Sequence, residues 1–96
     1  MKYQRRITEA RRLEILQILA EAPGYEAGEG LIYRALTVQG SADQVAADLA
    51  WLDEQGLAAI SAPGNYKLAH ITRRGLDAAT GRAHIPGVAR PLPGEE

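Results

Sequence analysis

Glycine and proline punctuate this chain at short intervals, and this punctuation constrains its fold more than any other feature. Helix-breaking residues stand at Pro23-Gly24, Gly40, Gly56, Pro63-Gly64 and Gly81. Four of the segments between them have apolar residues at helical spacing, and short runs with β-forming residues flank the second Pro-Gly pair. The chain is therefore predicted to be mainly α-helical with one small β-hairpin, an α+β fold in the order helix, helix, helix, hairpin, helix.

The first three helices are predicted from their start signals. Thr8 is predicted to cap a first helix built on the apolar residues of 13–20, and a short second helix covers 31–36. Ser41 and Gln44 have the spacing of a capping box, in which each side chain accepts a hydrogen bond from the other residue's backbone N–H. They predict a third helix that follows the second directly.

The second half of the chain is predicted to hold a hairpin, a last helix and a tail. Pro63 and Gly64 suit the central positions of a type II turn, which indicates a hairpin. Thr72 is predicted to cap the last helix. Residues 1–81 should form one domain, and residues 82–96, which contain several prolines and glycines, should form an extended or mobile tail.

Length and composition exclude several classes of protein. With 96 residues, of which 46% are hydrophobic, the chain suits one domain with a single core. It has no cysteine, which excludes disulfides and thiolate metal sites, and it shows no cofactor motif. Charged residues interrupt the first helical segment, so it is typical of neither a signal peptide nor a membrane span, and a cytoplasmic location is predicted.

The charge is distributed unevenly along the chain. Residues 1–12 hold five basic residues against one acidic residue, and residues 57–96 hold five against three. Residues 13–56 hold eight acidic residues against one basic residue. The ends are therefore basic and the middle is acidic, a pattern that allows either nucleic acid or a protein as the partner.

Two sequence strings resemble bacterial winged helix-turn-helix regulators of the ArsR and MarR type. Residues 48–57 (DLAWLDEQGL) resemble the end of the recognition helix and its exit into the wing. Residues 70–79 (HITRRGLDAA) resemble the end of the wing and the start of the next helix. The resemblance implies a winged helix-turn-helix, with the third helix as recognition helix and the hairpin as wing.

The chain also resembles small winged-helix proteins of Mu-like prophages that are described as ArsR-like. The resemblance rests on the basic start at 5–13 (RRITEARRL) and on the ending at 81–91 (GRAHIPGVARP), so it spans nearly the whole chain. The metal-sensing members of the ArsR class use cysteines, whereas this chain has none, and its two histidines, His70 and His84, lack ligand spacing. The resemblance therefore implies the fold and a phage or prophage origin, but no metal site.

A winged-helix regulator would contact double-stranded DNA, and the sequence offers candidates for these contacts. They are Ser41 and Gln44 at the start of the third helix, Lys67 on the hairpin, Arg73 and Arg74 at the start of the last helix, and Arg5 and Arg6 near the N-terminus. Polar side chains at a helix start can reach bases or phosphates, and the basic residues would contact phosphates. The basic start can be read as an arm that grips the DNA backbone or as a solubilising terminus, and the second reading is slightly favoured.

The third helix itself argues against base reading. It contains Asp43, Asp48, Asp53 and Glu54 but no Lys or Arg, and such a charge opposes phosphate attraction. This favours a solvated acidic face or a protein contact over a base-reading helix. Trp51, which lies beside the predicted buried stripe, is expected to pack rather than to contact a partner.

Catalytic motifs are missing, so no enzyme is predicted. The carboxylates at 43, 48 and 53 do not share a helical face, and Ser41, His70 and Asp77 form no recognisable triad. The leading hypothesis is a phage-type, transcription-regulator-like DNA-binding protein, expected to act as a homodimer. The alternative is a protein-interaction module on the same scaffold, which binds a phage or host protein through its acidic helices and its C-terminal tail.

Overall fold

A computed structural model describes residues 2–92. Within these residues, four helices and a three-stranded antiparallel sheet form an α+β fold. The elements are α1 (Lys2–Glu21), a 3-10 turn (Pro23–Tyr25), β1 (Glu26–Gly28), α2 (Glu29–Ala35), α3 (Ala42–Glu54), β2 (Ala58–Ser61), β3 (Leu68–Ile71) and α4 (Arg73–Thr80). The predicted order of helices and hairpin is therefore found, with one strand added.

Helix α1 begins at Lys2, so the predicted start at Thr8 is wrong. Thr8 lies inside the helix, because the six residues before it contain no glycine or proline that would end the helix. The basic start is consequently helical rather than a loose arm. Residues 2–6 are all exposed, whereas Leu16 and Leu19 further along the same helix are fully buried.

The capping box at the start of α3 is confirmed. The backbone N–H of Gln44 donates to Ser41 Oγ at 3.1 Å, and the backbone N–H of Ser41 donates to Gln44 Oε1 at 2.8 Å. The helix ends at Glu54, just before Gly56, which has a φ of 74°. The predicted cap of α4 is confirmed as well, because Thr72 Oγ1 accepts from the backbone N–H of Gly75 at 3.0 Å.

Replacement of Ser41 with alanine should lower the free energy of unfolding by about 1 kcal/mol, because the backbone N–H of Gln44 loses its acceptor. Ser61 on β2 is a matched control, because it is exposed and its hydroxyl makes no hydrogen bond with the described residues. Ser61→Ala should change the same quantity by less than about 0.5 kcal/mol. Urea unfolding measures both variants, and equal losses would contradict the role of the cap.

The sheet contains one strand that the sequence pattern does not reveal. β1 is three residues long and pairs with β3, with Glu26 opposite His70 and Gly28 opposite Leu68. β2 also pairs with β3, so the strand order is β1-β3-β2. A strand of three residues is too short for an alternating pattern to appear, and its existence depends on a partner far along the chain.

The hairpin between β2 and β3 is confirmed, but its turn differs from the predicted one. The closing hydrogen bond runs from the backbone N–H of Tyr66 to the carbonyl of Pro63 at 3.1 Å. Gly64 and Asn65 are therefore the central residues, and Gly64 has a φ of 63°. The prediction of Pro63 and Gly64 as the central pair is wrong by one position, because the positive φ falls on the first central residue instead of the second.

A single core fills the space between α1, α3, α4 and the inner face of the sheet. Its largest fully buried side chains are Ile15, Leu16, Leu19, Ile32, Leu49, Leu52, Leu57 and Val45. Ile85 and Val88, which lie beyond α4, are buried in the same core. The segment after Gly81 therefore does not leave the domain as a tail up to Leu92. It forms no helix or strand there, but its apolar residues pack inward. Residues 93–96 of the predicted tail lie outside the described residues.

Candidate nucleic-acid interface

The start of α3 lies beside the start of α1. Gln44 shares a shallow hollow of about 260 Å³ with residues of α1 and of the loop before α3. The other residues that line this hollow are Gln4, Ile7, Thr8, Arg11 and Gln39. Ser41 and Gln44 are both exposed, although their capping bonds occupy Ser41 Oγ and Gln44 Oε1 as acceptors. The side-chain amide NH2 of Gln44 remains available as a donor.

The start of α1, which contributes Gln4, Ile7 and Thr8 to this hollow, also carries three exposed cations. Lys2, Arg5 and Arg6 are exposed, and no acidic residue stands in the first turn of the helix. Arg5 lines a second hollow, together with Gln4, Thr8, Glu9 and Arg12. The positive end of the helix dipole lies at the N-terminus and repels these cations. An anion bound there would be stabilised by both the dipole and the cationic side chains.

The other candidate residues lie elsewhere on the molecule. Arg74 Nε donates to the carbonyl of Gln55 at 3.1 Å, which places Arg74 at the C-terminal end of α3. Since α3 has 13 residues, its two ends are about 20 Å apart. Arg73 is the neighbour of Arg74, and Lys67 is an exposed residue whose carbonyl accepts from the backbone N–H of Glu29 at 3.0 Å. The structure thus places the start of α1, on which Arg5 stands, beside the start of α3, whereas Arg74 lies at the other end of α3.

The acidic face of α3 is smaller than the sequence suggests. Asp48 is only 3% exposed, so its predicted place on an exposed acidic face is wrong. Asp43, Asp53 and Glu54 are exposed. Asp43 lies in the first turn and the other two in the last, so two of the three remaining acids are far from the start of the helix.

Asp48 forms a buried ion pair with α1. Arg11, also 3% exposed, donates from Nε to Asp48 Oδ2 at 2.5 Å and from Nη1 to the carbonyl of Gln39 at 2.9 Å. Arg12 donates from Nε to the other carboxylate oxygen, Asp48 Oδ1, at 3.2 Å. Two of the cations that the charge count assigns to the basic start are therefore used to join α1 to α3.

Arg12 continues this network into the C-terminal segment. Its guanidinium carbon lies 3.9 Å from the centre of the Trp51 ring, and Nη1 donates to the carbonyl of Gly87 at 3.1 Å. Trp51 is half-buried and packs against the core, which confirms the expected packing role. The guanidinium therefore holds α1, α3 and the C-terminal segment together through a cation–π contact and two hydrogen bonds.

The sequence contains a signal for this network that charge counting overlooks. Arg11 precedes the buried residues Ile15 and Leu19 by four and eight positions, which is the spacing of one helix face. Asp48 stands three positions after Val45 and four before Leu52, on the buried stripe of α3. A charge on each of two apolar faces predicts a buried pair, because an unpaired buried charge is costly.

Glu14 fixes the loop that leads into α3. Its Oε1 accepts from the backbone N–H groups of Thr37 at 2.9 Å and Val38 at 2.8 Å, and its Oε2 accepts from the Thr37 hydroxyl at 2.6 Å. One carboxylate of α1 thus satisfies two backbone donors of this loop. Together with the bond from Arg11 to Gln39, it determines where α3 begins relative to α1.

Across residues 2–92, no three His, Asp or Glu side chains come close enough to hold a metal ion. In the same part of the chain, no helix is both long and apolar enough to span a bilayer. His70 and His84 are both exposed.

The fold and this surface define a small α+β protein in which a basic helix start borders the polar start of a second helix. The chain belongs to the family of gp26, an uncharacterized protein of Escherichia phage Mu. The two are 38% identical over 90 residues, which cover 91% of this chain and 93% of gp26. An uncharacterized protein of Haemophilus influenzae strain Rd is 40% identical over 84 residues, 83% of this chain and 81% of that protein. This kinship agrees with the predicted phage origin. No protein-family profile and no solved structure matches the chain.

Proposed function

We propose that the chain is a winged helix-turn-helix protein that binds double-stranded DNA. The elements α1, β1, α2, α3, β2 and β3 follow one another as in winged-helix domains, with β1 on the outside of the hairpin as a third strand. In that scheme, α2 and α3 are the helix-turn-helix and the segment between β2 and β3 is the wing. The proposal extends to a homodimer, which a measurement of mass in solution tests.

The observation that carries the proposal is that the start of α1, which carries exposed cations, lies beside the start of α3. A recognition helix enters the major groove, about 12 Å wide, with its N-terminal residues closest to the bases. Ser41 and Gln44, both exposed at that end of α3, would then face the bases, and the exposed Arg5 and Arg6 of α1 would face the flanking phosphates. If α3 enters the groove by its N-terminal end, Asp53 and Glu54 stay away from the phosphates. The ten residues of helix from Asp43 to Asp53 measure about 15 Å.

A salt titration with a fluorescent duplex tests this function. Binding should be detectable at about 50 mM salt and should weaken steeply as salt is added. Arg5→Gln combined with Arg6→Gln should weaken binding to all sequences alike and should reduce the salt slope by about 2, one unit for each lost phosphate contact. Arg34→Gln is the control, because Arg34 is an exposed arginine in the last turn of α2 and is not part of the α1 start.

The outcomes separate the proposal from its rival. Absence of duplex binding at low salt would overturn the proposal, and an equal effect of Arg34→Gln would refute the assigned position of the interface. The rival function, a protein-interaction module, is favoured by the exposed carboxylates of α3. A partner protein that co-purifies at a fixed ratio, without any duplex binding, would support it. Deletion of the C-terminal segment is no test of that rival, because Ile85 and Val88 belong to the core.

A further inference from the structure

The segment after α4 forms a closed loop, here called the C-terminal loop (residues 81–91). Its two ends meet, since a Cβ placed on Gly81 would lie 3.6 Å from Cγ and Cδ of Pro91. Ile85 and Val88 point from the middle of the loop into the core. Compact loops of this kind, with adjacent ends and their own packed side chains, often carry function.

Hydrogen bonds hold the C-terminal loop on α1. The carbonyl of Gly87 accepts from Arg12, and the backbone N–H of Ala89 donates to the carbonyl of Glu9 at 3.1 Å. Inside the loop, the backbone N–H of Val88 donates to the carbonyl of Ile85 at 3.0 Å, which closes a turn. These bonds fix the backbone of residues 85–89, which lies between His84 and Arg90.

Three basic or titratable side chains stand at this rim. Arg82, His84 and Arg90 line a hollow of about 370 Å³, whose other walls are Thr80, Gly81 and Pro91. Within residues 2–92, no carboxylate lines this hollow, and neither arginine has an acidic partner within salt-bridge distance. The C-terminal end of α4 offsets only about half a charge, against the two guanidinium charges.

We propose that this hollow is an oxyanion site that binds phosphate. Arg82 and Arg90 are eight positions apart in the sequence, and the closed loop places both at the rim of this hollow. The planar guanidinium group of an arginine matches the oxygens of a phosphate group. The same chemistry accepts a free phosphate or a phosphate of the DNA backbone. The site lies on the C-terminal loop rather than at the start of α3, so the inference does not rest on the proposed function.

An NMR titration with inorganic phosphate tests the site at constant ionic strength. Addition of phosphate should shift the backbone amide signals of Arg82, His84 and Arg90 along a saturable curve. Replacement of Arg82 or Arg90 with glutamine should weaken the affinity about tenfold each, as expected for the loss of one charge-assisted hydrogen bond, about 1.4 kcal/mol. Arg90→Lys, which retains the charge without the fork, should lie between the wild type and Arg90→Gln.

A control variant and a competition with a DNA duplex complete this test. Arg34→Gln should leave the phosphate curve unchanged, and the thermal unfolding of each variant verifies that it is folded. A short duplex that displaces phosphate from the hollow would identify the backbone of DNA as the source, whereas a duplex without effect would identify a free phosphate. Shifts that rise linearly, occur equally with chloride, or persist in both glutamine variants would overturn the proposal.

Discussion

Replacement of Asp48 with alanine should lower the free energy of unfolding by about 3 to 5 kcal/mol, because it leaves Arg11 buried without a counter-charge. Arg12 would lose its bond to Asp48 Oδ1 as well. Small domains are stable by only about 5 to 15 kcal/mol, so this loss is a large share of the total stability. Urea or thermal unfolding measures the loss.

The same helix supplies a matched control for this prediction. Asp53→Ala removes the same carboxylate from an exposed position and should change stability by less than about 0.5 kcal/mol. A double variant, Arg11→Met with Asp48→Leu, should recover most of the loss, because apolar residues of similar size often replace a buried pair without cost. If Asp48→Ala and Asp53→Ala are equally mild, the buried pair does not stabilise the fold.

Replacement of Gly75 with alanine should destabilise the protein by about 3 kcal/mol, although alanine is the better helix former. Gly75 lies in α4, where the helix packs against Leu57 and against Ile71 of β3. A Cβ at this position would collide with the carbonyl oxygen of Leu57 and would lie 2.7 Å from Cγ1 of Ile71. A backbone atom cannot turn aside as a flexible side chain can, so the helix must move.

Gly30 provides the opposite case in a second helix. It lies in α2, and a Cβ there would meet nothing within 4 Å. Gly30→Ala should therefore raise the free energy of unfolding by up to about 1 kcal/mol. Urea unfolding of the two variants should give changes of opposite sign, and a Gly75→Ala variant as stable as the wild type would contradict the close packing of α4 on Leu57.

Local signals predict the helices of this protein well, and non-local contacts account for what they miss. The capping boxes and caps at Ser41 and Thr72 act over three residues, so the sequence alone reveals them. β1 exists because β3 pairs with it from more than forty positions away, and nothing in its three residues reveals that partner. The C-terminal loop was predicted as a tail for the same reason, since its prolines are visible but its contacts with α1 are not.

The candidate interface was predictable in its residue types but not in its arrangement. Arg5, Ser41 and Gln44 are recognisable as donors from the sequence, yet only the fold places α1 and α3 with their starts together. Arg74 appeared equivalent to Arg5 by charge, but it bonds to the far end of α3. Charge counts treat Asp48 and Asp53 alike, whereas the packing of α1 on α3 buries only the first.

The early start of α1 has a consequence for how the protein would recognise its target. Lys2, Arg5 and Arg6 are held on a helix that continues into the packed core, so their backbone is already ordered before a partner arrives. A flexible arm would lose conformational entropy on binding, of about 1 to 2 kcal/mol for each residue that becomes ordered, and this helix avoids that loss. A helix, however, cannot adapt its path to a DNA groove as a flexible segment can. If the chain binds DNA as proposed, this helix would contact phosphates at a fixed spacing, and binding would therefore depend on the shape of the duplex.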